Sequence, residues 1–148
     1  MSTVALIEVT RANVRDVCRL ELGPGQDKMV AHAAQTVAEA NYHNNGSLLR
    51  AIVEDDRPVG VLWALTEEPD MEAPYLVRFM IDHGHQRHGL GRRAVRLLLD
   101  ELRARGHTTL ELSYVPIPGG AEGFWLRCGF EPTGREHGGE NVVRIDIR

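Results

Sequence analysis

The chain of 148 residues is 43% hydrophobic and 26% charged, enough for one domain, residues 1–148, with a continuous core and no need of a second. Its net charge of -4 and pI of about 6.0 argue against a surface built to neutralise nucleic-acid phosphates and suit a small cationic substrate better. No run of about 18 apolar residues occurs, and MSTVALIEVT lacks a basic leader, so neither a membrane span nor export is expected.

Residues 4–9 (VALIEV) read as an opening strand, and Thr10 offers an N-cap to a helix over 11–21 with Val14, Val17, Cys18 and Glu21 at helical spacing. LGPGQD at 22–27 ends that helix. A second helix is predicted over 29–42, its apolar stripe being Val30, Ala33, Ala34, Val37 and Ala38. LLRAIVED and PVGVLWALTE then form an antiparallel hairpin, reversed at Asp55-Asp56-Arg57-Pro58. After the acidic loop EEPDMEAP come a strand, YLVRFMID at 75–82, and a glycine loop. A helix over 92–105 follows, burying Val95, Leu98, Leu99 and Leu102 and ended by Gly106. TTLELSYV is the next strand and GAEGFWLRC a short helix, after which a glycine-rich turn leads to a last strand, VVRIDI. The two cysteines, Cys18 and Cys128, read as buried packing residues in a reducing cytosol.

This order predicts an α/β (α+β) fold: a mixed, mostly antiparallel sheet with helices on both faces and one central βαβ crossover. The loop at 83–91 lies at the carboxyl end of a strand, where open sheets bind ligands. In such a turn the first helical N–H groups have no intrahelical acceptor and point, with the positive end of the dipole, at whatever lies beyond. Gly89 and Gly91 would let an anion reach the main chain, and Arg87, Arg92 and Arg93 could add charge at the rim. A tight turn with solvated arginines is the plainer alternative. Gly89-Leu90-Gly91-Arg92-Arg93-Ala94 also fits a dinucleotide fingerprint, with Glu111 further on. That fold, however, opens with its motif and needs two nucleotide-binding halves, whereas a hairpin precedes the motif here. No P-loop pattern occurs.

Gln86-Arg87-His88-Gly89-Leu90-Gly91 matches Q/R-x-x-G-x-G/A between RFMID and a helix, with Gly129-Phe130 further on, and over nearly its whole length the sequence resembles the GNAT superfamily of acyl-CoA-dependent N-acetyltransferases. The resemblance implies acetyl-CoA as cofactor. It places the pantetheine arm along Phe79, Met80 and Ile81, and the diphosphate on the loop of Arg87, His88, Gly89, Leu90, Gly91 and Arg92, with Gln86 a further cofactor-binding residue at the start of the motif. Trp125 would lie beside them. EVTRANVRDVCRLEL, GQDKMVAHAAQTVAEA, RPVGVLWA and the tail GFEPTGREHGGENVVRIDI further resemble the polyamine acetyltransferase branch, in which residues 23–40 would face the acceptor. Glu67, Glu68, Asp70 and Glu72 could attract a polyamine by their field or simply be a solvated loop. Glu39 could line the acceptor side or face water.

Many members of that family protonate the departing thiolate with a tyrosine four residues before the Gly-Phe pair. Here the position is Trp125, whose indole is no usable acid, and Pro118 stands where an asparagine is frequent. Three readings stay open: Tyr114 supplies the proton, or is only a packed strand aromatic; the thiolate leaves unaided; or the chain binds acyl-CoA without turnover. The 75–82 strand carries no Glu, only Arg78 and Asp82, so the base would be Glu72 through water, or the role would be diffuse. A main-chain N–H near Phe79 or Ile81 would take the developing oxyanion. His83, His85 and His88 form H-x-H-x-x-H without a fourth zinc ligand and read as loop histidines, with no metal. The expected partners are a small amine and, by analogy, a second copy in a homodimer, with neither nucleic acid nor membrane.

Overall fold

The computed structural model describes residues 2–26, 30–43, 46–67, 71–86 and 88–148. In chain order these form β1 (Val4–Glu8), α1 (Val14–Cys18), α2 (Ala33–Ala40), β2 (Ser47–Glu54), β3 (Arg57–Leu65), β4 (Tyr75–Ile81), α3 (Leu90–Ala104), β5 (Thr109–Tyr114), α4 (Glu122–Arg127), β6 (Glu131–His137) and β7 (Glu140–Asp146). A single 3-10 turn, His83–His85, joins β4 to α3. The strands make one seven-stranded sheet in the order β1-β2-β3-β4-β5-β7-β6. Every neighbouring pair is antiparallel except β4 and β5. The predicted mixed sheet and its one parallel crossover are therefore present.

Strand alternation builds a core on each face. On one face Ile52, Leu62, Leu76, Leu110 and Leu112 meet Leu90, Val95, Leu98 and Leu102 of α3 and Trp125 of α4. On the other, Ala51, Val53, Val61 and Met80 meet Val17 of α1 and Ala33 and Val37 of α2. The β2–β3 reversal is tighter than expected, with Asp55 and Asp56 both at positive φ (49° and 69°), the primed geometry that matches strand twist. Asp55 is fixed there because its carboxylate accepts the Thr3 N–H at 2.9 Å.

Four expectations are corrected. The first helix is confined to Val14–Cys18, because tertiary hydrogen bonds draw Glu21 out of line: its N–H donates to Asp82 Oδ1 at 2.7 Å and its carbonyl accepts from His83 N at 2.8 Å. The second starts at Ala33 and buries Ala33, Thr36, Val37 and Ala40, leaving Ala34 and Ala38 exposed; a helix of alanines is apolar all round and does not announce its buried stripe. β6 was not expected at all, since Pro132, Gly134 and a run of exposed polar residues mark an edge strand poorly. Finally, Cys18 is exposed and Cys128 half-buried: α1 stops at Cys18, so that thiol finishes outside the core.

Candidate active site

The sheet comes apart in the middle. β4 and β5 pair only at Tyr75↔Glu111 and Leu76↔Leu112, while β4 stays on β3 and β5 stays on β7 along their lengths. The parting coincides with an irregularity, for Trp63 faces Arg78 and Ala64 faces Leu76, leaving Val77 as an extra residue that increases the local twist. Beyond it one edge of β4 is open. Asp82 N donates to Val59 O at 2.7 Å on the β3 side, so alternation turns the peptide groups of Phe79 and Ile81 toward the gap. Gln86 Nε2 already fills one of these positions, donating to Ile81 O at 2.9 Å.

A cavity of about 460 Å³ fills the opening. Phe79, Met80 and Ile81 form its floor, Gln86, Gly89, Gly91 and Arg92 one end, Phe124 and Trp125 the far wall, and Leu22, Gln26 and Val30 of the α1–α2 connection the near wall. Eight of the residues expected to hold cofactor thus line one cavity. Leu90 instead turns its side chain into the core, at 2% exposure, and His88 is exposed, and neither lines the cavity; Arg87 lies outside the described residues. Arg93 leaves the rim to bind Ser2 O at 2.6 Å. Sequence reasoning missed Phe124, Gly119, Gly120 and Arg127 on the wall. Helical spacing beside Trp125 was the only signal available for Phe124.

α3 begins at Leu90, with Gly89 as its N-cap at φ 73°. That left-handed conformation suits glycine, and a Cβ there would project into open space. Gly89, Gly91 and Arg92 of this turn line the cavity together with Arg127, and the first N–H groups of a helix have no intrahelical acceptor. Trp125 packs edge-on against Phe79, Phe124 and Phe130, with ring centroids 5.4, 4.8 and 5.5 Å away. It lines the cavity beside Phe124.

Of the two expected catalytic residues, neither reaches this cavity. Tyr114 is buried at 7% exposure in the α3-side core, because inward alternation along β5 assigns it there, and Glu72 is exposed on the loop before β4. Asp82 is committed elsewhere. Burial acts to raise its pKa, but hydrogen bonds from Glu21 N, the His85 ring and Gly84 N outweigh that and hold the carboxyl below its ordinary range. Arg78 meets Glu39 Oε2 of α2 at 2.7 Å, and neither of those two buried atoms has a further hydrogen bond. Glu67 is exposed, while Glu68 and Asp70 lie outside the described residues. His85 leans on Asp82 at 3.1 Å, and among the described residues no three His, Cys, Asp or Glu side chains converge to hold a metal. Burial pushes the Cys128 thiol up despite Arg92, Arg127 and Arg96 nearby.

No curated protein matches the chain in sequence. Among solved structures the fold is similar to an acetyltransferase from Thermus thermophilus, at 20% identity, 97% of each chain covered and a TM-score of 0.75. It is also similar to the ribosomal-protein-S18-alanine N-acetyltransferase of Escherichia coli, at 19% identity, with 99% of this chain and 94% of that chain covered and a TM-score of 0.69. An aminoglycoside 6'-N-acetyltransferase complexed with coenzyme A has a TM-score of 0.75 at 14% identity, with 99% of this chain and 97% of that chain covered. Residues 14–130 match the model of the Acetyltransferase (GNAT) family. That match spans the parted strands, the glycine-capped helix and the Gly129-Phe130 end of α4, and the chain belongs to the acetyltransferase (GNAT) family.

Proposed function

We propose that the protein is an acetyl-CoA-dependent N-acetyltransferase that works as one domain and transfers the acetyl group directly to a small primary amine. The observation that carries this reading is the continuity of an open β4 edge with the Gly89-capped start of α3 across one cavity. A flexible amide-bearing arm ending in a diphosphate has the chemistry to use both. The main-chain groups of Phe79 and Ile81 pair with the arm as a missing strand would. N–H groups at Gly91 and Arg92, with the Arg92 and Arg127 charges, hold the diphosphate. The same β4 edge offers an N–H to the carbonyl oxygen as negative charge develops on it, and the Phe79, Phe124 and Trp125 rings keep water from the thioester. No acid replaces the family tyrosine at Trp125, and a thiolate with an ordinary pKa of about 8.5 is a tolerable leaving group without one.

A polyamine is the favoured acceptor, supported by the acidic loop before β4, where Glu67 and Glu72 are exposed. The embedding of Trp125 among aromatic rings favours the second reading, an acyl-CoA-binding module without turnover. Thiol release from acetyl-CoA with spermidine, n-butylamine and glycylglycine separates them. Amine-dependent release supports the enzyme, and tight cofactor binding with no release from any acceptor refutes it. The cradle itself is tested by Gly89→Ala. Forcing a Cβ into a left-handed position costs about 1–2 kcal/mol and crowds the anion, so coenzyme A affinity measured by calorimetry should fall about tenfold with the fold kept. Unchanged affinity would remove the cradle from the reading.

A further inference from the structure

On the sheet face that carries α1 and α2, those helices cover β2, β3 and part of β4 through Ala51, Val53, Val61 and Met80. Leu76, Leu112 and Val143 point into the opposite core, so alternation turns Tyr75, Ser113 and Glu111 to the α2 side, together with Glu140 and Arg144 of β7. Three of these residues make a directed chain across three strands. Tyr75 Oη donates to Ser113 Oγ at 2.5 Å, and Ser113 Oγ donates to Glu140 Oε1 at 2.9 Å. None of the three lines the cavity of Phe79 and Gln86; the chain crosses the sheet just past it, where β4 and β5 make their last pairs, Tyr75↔Glu111 and Leu76↔Leu112, so an amine meeting it approaches the closed end of the gap from the α2 side.

The neighbouring carboxylates are engaged by cations. Glu111 takes Arg135 at 2.7 Å and Arg144 at 3.4 Å, and Glu39 takes Arg78 at 2.7 Å. Among the described residues no guanidinium bridges to Glu140; it receives the Ser113 hydroxyl. Its other end is near solvent, directly after the exposed Gly138-Gly139 turn.

We propose that Tyr75, Ser113 and Glu140 are a proton relay for the acceptor amine, with Tyr75 touching the nitrogen and Ser113 and Glu140 acting through it. This rests on the acetyltransferase reading. The amine lone pair forms the new C–N bond, and the nitrogen becomes cationic while the carbonyl electrons move to oxygen. One N–H proton passes to Tyr75 Oη as the phenol proton passes to Ser113 Oγ and the Ser113 proton to Glu140 Oε1. Re-formation of the C=O breaks the C–S bond, its electron pair leaving on sulfur. Glu140 then releases its proton to water at the Gly138-Gly139 end, and the phenol and hydroxyl protons reset.

Burial, and the negative charges of Glu140 and Glu111, push the Tyr75 phenol up, against the lowering effects of the Ser113 hydrogen bond and Arg135. It therefore keeps the proton that the relay must pass on. Arg144 bridges to Glu111, and Arg78 lies further along β4 on the same face.

The test uses the full chain with acetyl-CoA and the best amine of the panel. Glu140→Gln and Tyr75→Phe should each lower kcat/KM about 100-fold, the usual scale of general-base assistance. Glu140→Asp, which keeps a carboxylate to receive the Ser113 proton, should restore part of the lost rate. Coenzyme A affinity and melting temperature should stay as in wild type. Independently of turnover, the ultraviolet phenolate titration of the ligand-free protein, with Tyr75→Phe subtracted, should show Tyr75 ionising at lower pH once Glu140→Gln removes the nearby charge. An active wild type whose kcat/KM is unchanged in Glu140→Gln, or a Tyr75 titration indifferent to that substitution, overturns the relay alone. A wild type that binds coenzyme A and acetylates no amine overturns the acetyltransferase reading and the relay with it.

Discussion

Gly89 and Gly91 stand two residues apart and serve different ends. Gly89 has positive φ and open space beyond its Cα, whereas a Cβ on Gly91 would come within 3.0 Å of the Phe124 ring. The motif therefore combines a backbone requirement with a packing requirement, and only the first can be read from the loop itself, since the second involves Phe124, far along the chain on α4. Asp82 shows the same dependence on distant partners. From sequence it is one of two charged residues near the end of β4, yet its Oδ1 accepts Glu21 N at 2.7 Å and its Oδ2 accepts Gly84 N at 3.2 Å, fixing the α1–α2 connection to the turn that follows β4. Because its folded pKa lies below the ordinary 3.8, the stability it contributes is present above that value and is lost as pH falls through the folded one. The melting-temperature advantage of wild type over Asp82→Asn should thus be largest above about pH 4 and shrink on further acidification. Thermal melts across that range check this. Parallel curves would show that the carboxylate charge has no part in holding the connection.

α3 and α4 end in the same way, and this explains a pair of residues that the sequence could supply only as a signature. At the end of α3, Gly106 N donates to Arg103 O and His107 N to Leu102 O, both at 3.0 Å. At the end of α4, Gly129 N donates to Leu126 O at 3.0 Å and Phe130 N to Trp125 O at 3.1 Å. Both are Schellman caps with glycine at positive φ, 89° and 104°. In α4 the cap also brings the Phe130 ring onto Trp125, so Gly-Phe sets the height at which the indole meets the cavity. Elements with strong signals, such as α3 with its period of leucines and β2–β3 with their acidic turn, were legible to within a residue or two. The alanine-rich α2 and the polar edge strand β6 were not, because burial there is decided by the neighbour rather than by composition. Phe130→Ala should cost about 3–5 kcal/mol, the range for a buried phenylalanine, and should lower coenzyme A affinity as Trp125 loses its support. Chemical denaturation and calorimetry on the variant measure both. A stability loss with cofactor affinity intact would confine Phe130 to the core.

At the scale of the molecule the sheet is two ribbons, β1-β2-β3-β4 and β5-β7-β6, joined at two residue pairs and by the cores beneath. The crossover order strand, loop, helix, strand was visible in the chain, and so was the place of the glycine loop. The separation of β4 from β5 was not, since it depends on the extra residue Val77 and on how far the two strands run together, and register between distant strands leaves no local trace. This architecture has a consequence for dynamics. Main-chain groups buried without partners are costly, so the open edge of β4 either meets water or is completed by a ligand that supplies the missing strand. Amides of Arg78 and Met80, turned toward β3, should exchange slowly in the free protein, whereas those of Phe79 and Ile81, turned toward the gap, should exchange faster. Coenzyme A should slow Phe79 and Ile81 selectively and leave Arg78 and Met80 nearly unchanged. At about 100 times its dissociation constant it should add about 2.7 kcal/mol to global stability. Residue-resolved hydrogen exchange with and without coenzyme A reads this directly. Protection appearing uniformly along β4, or at α2 in place of Phe79 and Ile81, would mean that the ligand stiffens the molecule without pairing with the parted strand.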